Sequence, residues 1–319
     1  PTVTITEVRE GAALEPALVG NTFRHVEGTF TAPLWTETDA PMAILGGERG
    51  DRQIVGTIDV PFSITIPLSI SSSPTNRPAR FLQFGHGFFG GRGEVLSEVQ
   101  SDFGNDFAFV MGAVDWSGMT RADRDALVPA IVESPGNAFS FVPRVHQGIS
   151  NQLVFTEVIR QQLGDQEALT LDGASVYDPD QVYFFGISQG HILGGTLMAM
   201  SRSLERAALN AGGGSIGFIL TRSYAFVLFR QILGQWFEPL ELLKFEAVAS
   251  EALQLIDPVT FAPLVLSTSS MQRKVLLQAG VGDAAIPNLA SAIHARALGI
   301  PLVAPSPVTL PFIAVSYTH

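Results

Sequence analysis

The chain has 319 residues, of which 46% are hydrophobic, and it carries a formal net charge of −11 at pH 7. A chain of this length can bury one large hydrophobic core, and we predict a single domain over residues 1–319. The acidic balance argues against nucleic acid and anionic membranes as partners, because binding to them requires an excess of Lys and Arg. The chain contains no cysteine, which excludes disulfides, zinc–thiolate sites and a cysteine nucleophile.

The apolar runs of the sequence are short. Residues 64–70, for example, fall far below the roughly 20 residues that a membrane helix needs, so we predict a soluble protein with no membrane span. The chain begins at Pro1, not at a methionine, and shows no basic segment followed by an apolar one. From this we expect a processed protein that is secreted or periplasmic.

The order of the predicted elements indicates an α/β fold. Residues 22–35 and 54–70 are rich in Val, Ile, Thr and Phe, which predicts an N-terminal antiparallel strand pair. Later apolar runs lack polar alternation, as is typical of parallel strands covered on both faces; these runs are 80–84, 107–114, 182–185, 207–209 and 275–278. Helical periodicity lies between them, most clearly over 144–163. We therefore predict a mainly parallel sheet flanked by helices.

Residues 215–261 interrupt this alternation. The segment is long, helical in pattern and crowded with Phe, Ile, Leu and Trp. A helical cap insertion over a ligand pocket would have this composition, and we predict one here. Ordinary core helices would fit the same composition equally well.

The most informative motif is Gly186-Ile187-Ser188-Gln189-Gly190, which follows an apolar run and precedes a helical segment. A serine on a sharp turn from strand to helix has its hydroxyl pushed out of the sheet, and the flanking glycines avoid collisions with neighbouring backbone. The motif predicts that Ser188 is a nucleophile.

A serine hydroxyl needs a histidine to take its proton and a carboxylate to orient that histidine. In folds built on this turn, the acid and then the histidine follow the serine in the chain. Asp283 fits the acid, because it follows the predicted strand 275–278 in a glycine-rich turn; the alternative for Asp283 is a plain helix N-cap. Asp257 is the second choice, although its position before Pro258 favours a turn or cap role.

The base is less well defined. Four of the six histidines precede Asp283. One of them, His191, lies on the predicted helix after Ser188, and its side chain is expected to point into the packed interior and not over the serine hydroxyl. His294 lies within a predicted helix and is expected to face solvent or the sheet. His319 follows the strand-like residues 311–317 and is the predicted base, the alternative being a base beyond residue 319.

A second glycine-rich loop, Gly85-His86-Gly87-Phe88-Phe89-Gly90-Gly91, follows the predicted strand 80–84. Backbone amides in such a loop can stabilise a developing oxyanion, and we predict the amides of Phe88 and Gln189 as the two donors. His86 is expected to hydrogen-bond locally and shape the loop, and Phe89 to form a pocket wall. Trp116 follows another parallel strand at the same edge, where substrate contact and structural packing are equally expected.

Together these motifs resemble the α/β-hydrolase superfamily, specifically its bacterial esterase and lipase-like members. The resemblance covers most of the chain from about Thr22 onward. It implies a triad of Ser188, Asp283 and a histidine, an acyl-enzyme intermediate and no cofactor. The chain departs from the family pattern at His191, where many members carry a small residue, so the packing of that helix against the sheet is expected to differ.

The leading functional hypothesis is a carboxylic ester hydrolase acting on a small-molecule or polymeric ester. The Phe-rich loop and cap favour an apolar or aromatic substrate, with lipids and polyesters included. No His-x-His or His-Glu-x-x-His cluster indicates a metal. The alternative from another class is a non-catalytic protein of this fold that binds an apolar ligand or a partner, and an acyltransferase or peptidase would use the same triad.

Overall fold

A computed structural model describes residues 1–48, 50–267, 272–310, 313 and 315–316. Its centre is an eight-stranded sheet. In chain order the strands are β1 (Val3–Glu10), β2 (Thr22–Leu34), β3 (Gly56–Pro67), β4 (Ala79–Gly85), β5 (Phe109–Val114), β6 (Tyr177–Ile187), β7 (Arg206–Asn210) and β8 (Lys274–Gln278). Their order across the sheet is β1-β2-β3-β5-β4-β6-β7-β8.

The sheet divides into an antiparallel and a parallel part. Strands β2 and β3 pair antiparallel over their full length, as the sequence predicts, and β3 pairs antiparallel with β5. From β5 to β8 all neighbours are parallel. The edge strand β1, which pairs with β2, is an addition to the prediction. Its residues alternate between apolar and polar over Val3–Thr6, and Val3 and Ile5 pack partly against the core, but the run is short and mostly exposed.

Ten helices accompany the sheet in the described part of the chain. They are α1 (Leu68–Ser72), α2 (Glu98–Phe107), α3 (Arg121–Glu133), α4 (Val142–Gln161), α5 (Gln189–Met200), α6 (Ile216–Arg222), α7 (Val227–Leu233), α8 (Pro239–Leu253), α9 (Pro258–Ser267) and α10 (Asn288–Leu298). Short 3-10 turns join several of them, including Arg92–Leu96, Pro135–Phe139 and Tyr224–Phe226. Among the residues that the structure describes, three two-stranded pairs lie outside the main sheet: Gly47–Glu48 with Asp51–Arg52, Thr170–Leu171 with Ala174–Ser175, and Leu302–Val303 with Val315–Ser316.

The inner parallel strands β4 and β5 are buried on both faces, whereas the edge strand β8 is partly exposed. Phe81 and Phe184 belong to the large hydrophobic cluster that includes residues of α4 and α5. Their chain neighbours Leu82 and Phe185 belong to a second cluster, which also contains Phe103 of α2. Because successive side chains of a strand point to opposite faces, helices cover both sides of the sheet. This confirms the predicted α/β class.

Helices α6 to α9 occupy the segment predicted as a cap. Asp257 lies where this segment returns to the sheet, and its carboxylate accepts hydrogen bonds from the backbone N–H of Ser215 (3.0 Å) and Val259 (2.9 Å), and from that of Ile216. It therefore joins the start of α6 to the start of α9. The sequence context of Asp257 favours a turn or helix-capping role. These bonds agree with that role, because both carboxylate oxygens accept hydrogen bonds from backbone amides.

Among the described residues no single helix has the length and apolar character needed to cross a membrane, but Ile216–Arg222 and Tyr224–Leu233, bent by 76°, reach that length and composition as a pair.

Candidate active site

Ser188 lies at the sharp turn between β6 and α5. Its backbone has φ +56° and ψ −113°, a conformation that residues other than glycine adopt rarely and at a cost in energy. A Cβ at Gly186 would overlap the carbonyl of Gly190, and a Cβ at Gly190 would overlap the carbonyl oxygen of Gly85. Both glycines are therefore needed for α5 to pack this closely against the end of the sheet. The side chain of Ser188 is partly exposed to a cavity at the carboxyl edge of the sheet.

The loop after β4 is held by a buried imidazole. His86 is fully buried; its Nδ1 lies 2.9 Å from the carbonyl oxygen of Gly87, and its Nε2 accepts the N–H of Trp116 at 2.7 Å. Since a carbonyl can only accept and an amide can only donate, the proton sits on Nδ1 and the ring is neutral. Burial lowers the pKa of His86. His86 thus has the local role that the sequence predicts for it.

Two carboxylates fix the rest of this loop. Glu94 Oε2 accepts the N–H of Gly87 at 2.9 Å, and a Cβ at Gly90 would overlap Glu94 Oε1. Asp115 accepts the backbone N–H of Arg92 at 2.6 Å and its guanidinium at 3.1 Å. Between these two hydrogen-bonded ends of the loop, the backbone of Phe89 adopts φ +52°.

The two predicted oxyanion donors have free N–H groups. In the described part of the chain, neither the amide of Phe88 nor that of Gln189 donates a hydrogen bond. Both residues line the same cavity as Ser188. Gln189 is the first residue of α5, and the first N–H groups of a helix have no partner within it. The arrangement leaves two unpaired backbone donors on residues that line the cavity of Ser188, and acyl transfer requires donors of this kind.

The cavity over Ser188 has a volume of about 140 Å³ and an almost entirely hydrocarbon wall. The oxyanion loop contributes Phe88 and Phe89, which places Phe89 in the wall as predicted. Helices α3, α5, α6, α7 and α8 complete the wall; among their lining residues are Leu127, Ile131, Ile192, Ile219, Phe229 and Ala249. An apolar cavity of about this size is large enough for a group such as benzene.

The cap contacts the loops on both sides of the cavity. The ring of Phe226 packs edge-on against that of Phe88, with ring centroids 4.8 Å apart. The backbone N–H of Tyr224 donates to the carbonyl oxygen of Ala284 at 3.0 Å, next to Asp283. Two residues of one short turn therefore bind the cap to the oxyanion loop and to the loop that follows β8.

Asp283 follows β8, two strands away from β6, at the same carboxyl edge of the sheet. Two strand spacings correspond to about 10 Å. Asp283 Oδ1 accepts the N–H groups of Ala285 (2.8 Å) and Ile286 (3.0 Å). Oδ2 accepts no hydrogen bond from the residues that the structure describes. The carboxylate is thus held by one oxygen and has the other available for an imidazole N–H.

The predicted base, His319, lies outside the described residues. His294 was expected to face solvent or the sheet, and the structure excludes solvent, because the side chain is fully buried. His191 is also fully buried, as predicted, and its Nε2 lies 3.0 Å from His294 Nδ1. These two rings pair with each other below the turn, and neither one hydrogen-bonds to Ser188.

The proton positions of the pair follow from its partners. His191 Nδ1 accepts the N–H of Gly212 at 3.0 Å, so the ring proton lies on Nε2 and is donated to His294. A neutral His294 then carries its proton on Nε2, which is buried and has no partner in the described structure. Burial lowers the pKa of His294 to about 4, and burial together with the neighbouring ring places that of His191 well below its usual value.

Trp116 does not occupy the position expected of a substrate contact. Its side chain is fully buried, packs edge-on against Phe184 at 6.4 Å between ring centroids, and is not among the residues lining the cavity. A Cβ at Gly85 would also lie 3.3 Å from the indole. Trp116 therefore has a packing role, and the alternative role in substrate binding does not agree with its position.

Two features of the site have no counterpart in the sequence prediction. Glu94 contacts the oxyanion loop from the following 3-10 turn, and the buried His191 and His294 meet across 103 residues of sequence. A single Glu in a polar stretch has no recognisable sequence pattern. The bulky His191, which directly follows Gly190 of the turn, does indicate unusual packing in the sequence. Within the described residues no group of three or more His, Cys, Asp or Glu could hold a metal ion.

Comparison with known proteins bears on the fold. No protein-family model matches the sequence, and no curated protein is similar to it at a significant level. Among solved structures, acetyl xylan esterases from Paenibacillus sp. and Thermoanaerobacterium sp. each superpose with a TM-score of 0.50 over 93% of this chain, at 11% and 12% identity. The match covers 78% and 77% of those chains.

A third similar structure is the acylaminoacyl peptidase of Pyrococcus horikoshii, with a TM-score of 0.46 and 12% identity over 88% of this chain. The present chain spans only 41% of that peptidase. All three proteins are α/β-hydrolases. The sheet order, the turn at Ser188 and the similarity to the two esterases show that the chain has the α/β-hydrolase fold.

Proposed function

We propose that this protein is a serine hydrolase that cleaves carboxylic esters through an acyl-enzyme. One observation carries the proposal: Ser188 sits at a strained turn that opens into an apolar cavity, with the unpaired amides of Phe88 and Gln189 beside it. Strained backbone at such a turn is typical of active sites, where it holds the nucleophile in position. The two acetyl xylan esterases of the same fold are named for ester hydrolysis, which is consistent with this chemistry.

In the proposed reaction, Ser188 Oγ attacks the ester carbonyl while a histidine, His319 in our assignment, accepts its proton. The oxyanion that forms accepts hydrogen bonds from the Phe88 and Gln189 amides. The histidine then protonates the leaving alcohol, and water releases the acid by the same steps. Asp283 Oδ2 accepts the other imidazole N–H and keeps the ring in the required tautomer.

The composition of the cavity supports an apolar or aromatic substrate. Its wall offers mainly hydrocarbon, and about 140 Å³ accommodates a small ring or a short branched chain. Ester units of a lipid or a polyester fit this description when one apolar group enters the cavity and the remainder stays outside.

Replacing Ser188 by Ala tests the proposal. Ser188→Ala should abolish turnover of a p-nitrophenyl ester and labelling by a fluorophosphonate, while the melting temperature stays close to that of the wild type. Ser215→Ala is a matched control, because Ser215 also has a positive φ, of +61°, and does not line the cavity. Labelling that persists in Ser188→Ala would remove Ser188 from the mechanism.

A non-catalytic binding protein is the second candidate. It is favoured by the absence, over the described ranges, of any imidazole hydrogen-bonded to Ser188. Such a protein would keep the apolar cavity and would leave wild-type Ser188 unlabelled by a fluorophosphonate. The same labelling experiment therefore distinguishes the two functions.

A further inference from the structure

The side-chain amide of Gln189 is a buried polar group that the proposed reaction does not use. Gln189 is 2% exposed, and neither its Nε2 nor its Oε1 has a hydrogen-bond partner among the described residues. Leaving a buried carboxamide unpaired is unfavourable, and buried polar groups of this kind are generally satisfied by protein, water or ligand. The reaction needs only the backbone N–H of this residue, so the side chain calls for a separate explanation.

The position of Gln189 points to a ligand. The residue contributes to the wall of the cavity that contains Ser188 and follows the serine directly in the chain. Its nearest wall neighbours along α5, Ile192 and Leu193, are apolar. A substrate held at Ser188 would therefore lie next to the residue that carries this amide.

Apart from Ser188 and Glu246, the other polar residues of the wall are already engaged. Thr221 Oγ1 donates to the carbonyl oxygen of Phe218, Ser223 Oγ accepts the N–H of Ala225, and Arg230 donates to the carbonyl oxygen of Thr221. These bonds stabilise the cap itself. Gln189 differs from them because both its donor and its acceptor lack a partner.

We propose that Gln189 is a specificity-determining residue that selects esters whose acyl group carries a hydroxyl or a carboxamide near the scissile bond. Either group can accept from Nε2–H and donate to Oε1. The inference rests on the proposed function and narrows it, from apolar esters in general to apolar esters with one donor–acceptor group. A site that hydrogen-bonds such a group rejects the analogue that lacks it, because its own polar atoms then stay unpaired.

Two pairs of p-nitrophenyl esters of matched shape test the proposal. The 3-hydroxybutyrate is compared with the 3-methylbutyrate, and the succinamate with the 4-methylpentanoate, so that a methyl or isopropyl group replaces the hydroxyl or the carboxamide. In the wild type, kcat/KM for the polar member of at least one pair should exceed that of its apolar partner by about tenfold or more. A wild type that prefers the apolar member of both pairs, or shows no preference, overturns the proposal without any variant.

The variant Gln189→Met keeps the length of the side chain and removes both polar atoms. It should reduce the ratio of kcat/KM between polar and apolar members about tenfold, with no loss of melting temperature, since an unpaired buried amide has been removed. Gln100→Met is the matched control: Gln100 is also buried with an unpartnered Oε1, but it lies on α2 and does not line the cavity. Its ratio should equal that of the wild type. An unchanged ratio in a folded Gln189→Met overturns the proposal.

The outcome separates this inference from the proposed function. Turnover of all four esters without a preference keeps the hydrolase and removes the role of Gln189. If no ester is cleaved and Ser188 is not labelled, the proposed function fails. The inference is then tested on the wild type by thermal shift with the methyl esters of the same four acids, where only preferential stabilisation by the polar members supports it.

Discussion

At the scale of single residues, the site depends on how closely α5 approaches the sheet. Gly190→Ala would place a methyl group onto the backbone carbonyl of Gly85, which no rotation of a side chain can relieve. We expect the free energy of unfolding, measured with urea, to fall by at least about 3 kcal/mol, at the upper end of overpacking effects. Gly56→Ala, where no atom lies within 4 Å of the added group, should unfold like the wild type. Equal stability of the two variants would contradict this packing.

The buried histidine pair predicts a dependence of stability on pH. The pKa of His294 is lowered from 6.5 to about 4 in the folded chain, so between these values the unfolded chain binds a proton that the folded one does not. The free energy of unfolding should therefore decrease as the pH falls from 6.5 to 4, by roughly 3 kcal/mol from this group alone. Above pH 6.5 the group is neutral in both states and contributes no slope.

His294→Gln isolates this effect. Glutamine retains an acceptor for His191 Nε2–H but does not titrate, so urea unfolding from pH 7 to pH 4 should show a smaller loss of stability than in the wild type. If the two proteins lose stability in parallel over this range, His294 is not the group responsible.

At the scale of elements, hydrogen-bond acceptors hold both ends of the proposed oxyanion loop. Glu94→Ala removes the acceptor for the N–H of Gly87 and leaves the loop free to move. Since oxyanion donors act mainly in the transition state, kcat for a p-nitrophenyl ester should fall about tenfold while KM stays within about a factor of two. Glu98→Ala, on the exposed first turn of α2, is the control. A raised KM with unchanged kcat would argue against this role.

The elements were predicted from the sequence with uneven success, for physical reasons. Parallel strands such as β4 and β8 appear as apolar runs, and the glycines around Ser188 reveal a turn that only glycine permits. The edge strand β1 was not predicted, although Val3 to Thr6 alternate between apolar and polar residues, because this alternation is short and leads into the charged residues Glu7, Arg9 and Glu10. The sequence left open whether His294 is exposed or buried, because α10 packs against α9 and meets α5 through tertiary contacts, and local periodicity does not report on those.

The site was predicted only as far as local motifs extend. Ser188, the oxyanion loop and Asp283 each stand in a recognisable strand-to-loop pattern. The position of Trp116 at the end of β5 placed it correctly at the sheet edge, but which way the indole points is decided by packing against Phe184. Likewise, the unpaired amide of Gln189 is a property of its surroundings and leaves no mark in the sequence.

At the scale of the whole molecule, the sheet supplies the reactive groups and the helical segment after β7 supplies much of the cavity wall. Ala249 of α8 lies in that wall and is 5% exposed, whereas its neighbour Val248 is 69% exposed. Ala249→Phe should occupy space in the cavity and lower the ratio of kcat/KM for p-nitrophenyl octanoate to that for the acetate about tenfold. Val248→Phe should leave the ratio unchanged. Equal ratios in both variants would place the acyl chain elsewhere.

The short turn Tyr224–Phe226 has a consequence for how ligands affect the reaction. Through Phe88 it touches the segment that carries a proposed oxyanion donor, and through Ala284 it is hydrogen-bonded to the segment that carries the proposed acid, Asp283. A bulky ligand that pushes this turn outward would displace the segments of Phe88 and Asp283 at the same time. Crowding of the cavity should therefore slow the chemical step itself, in addition to weakening the hold on the substrate.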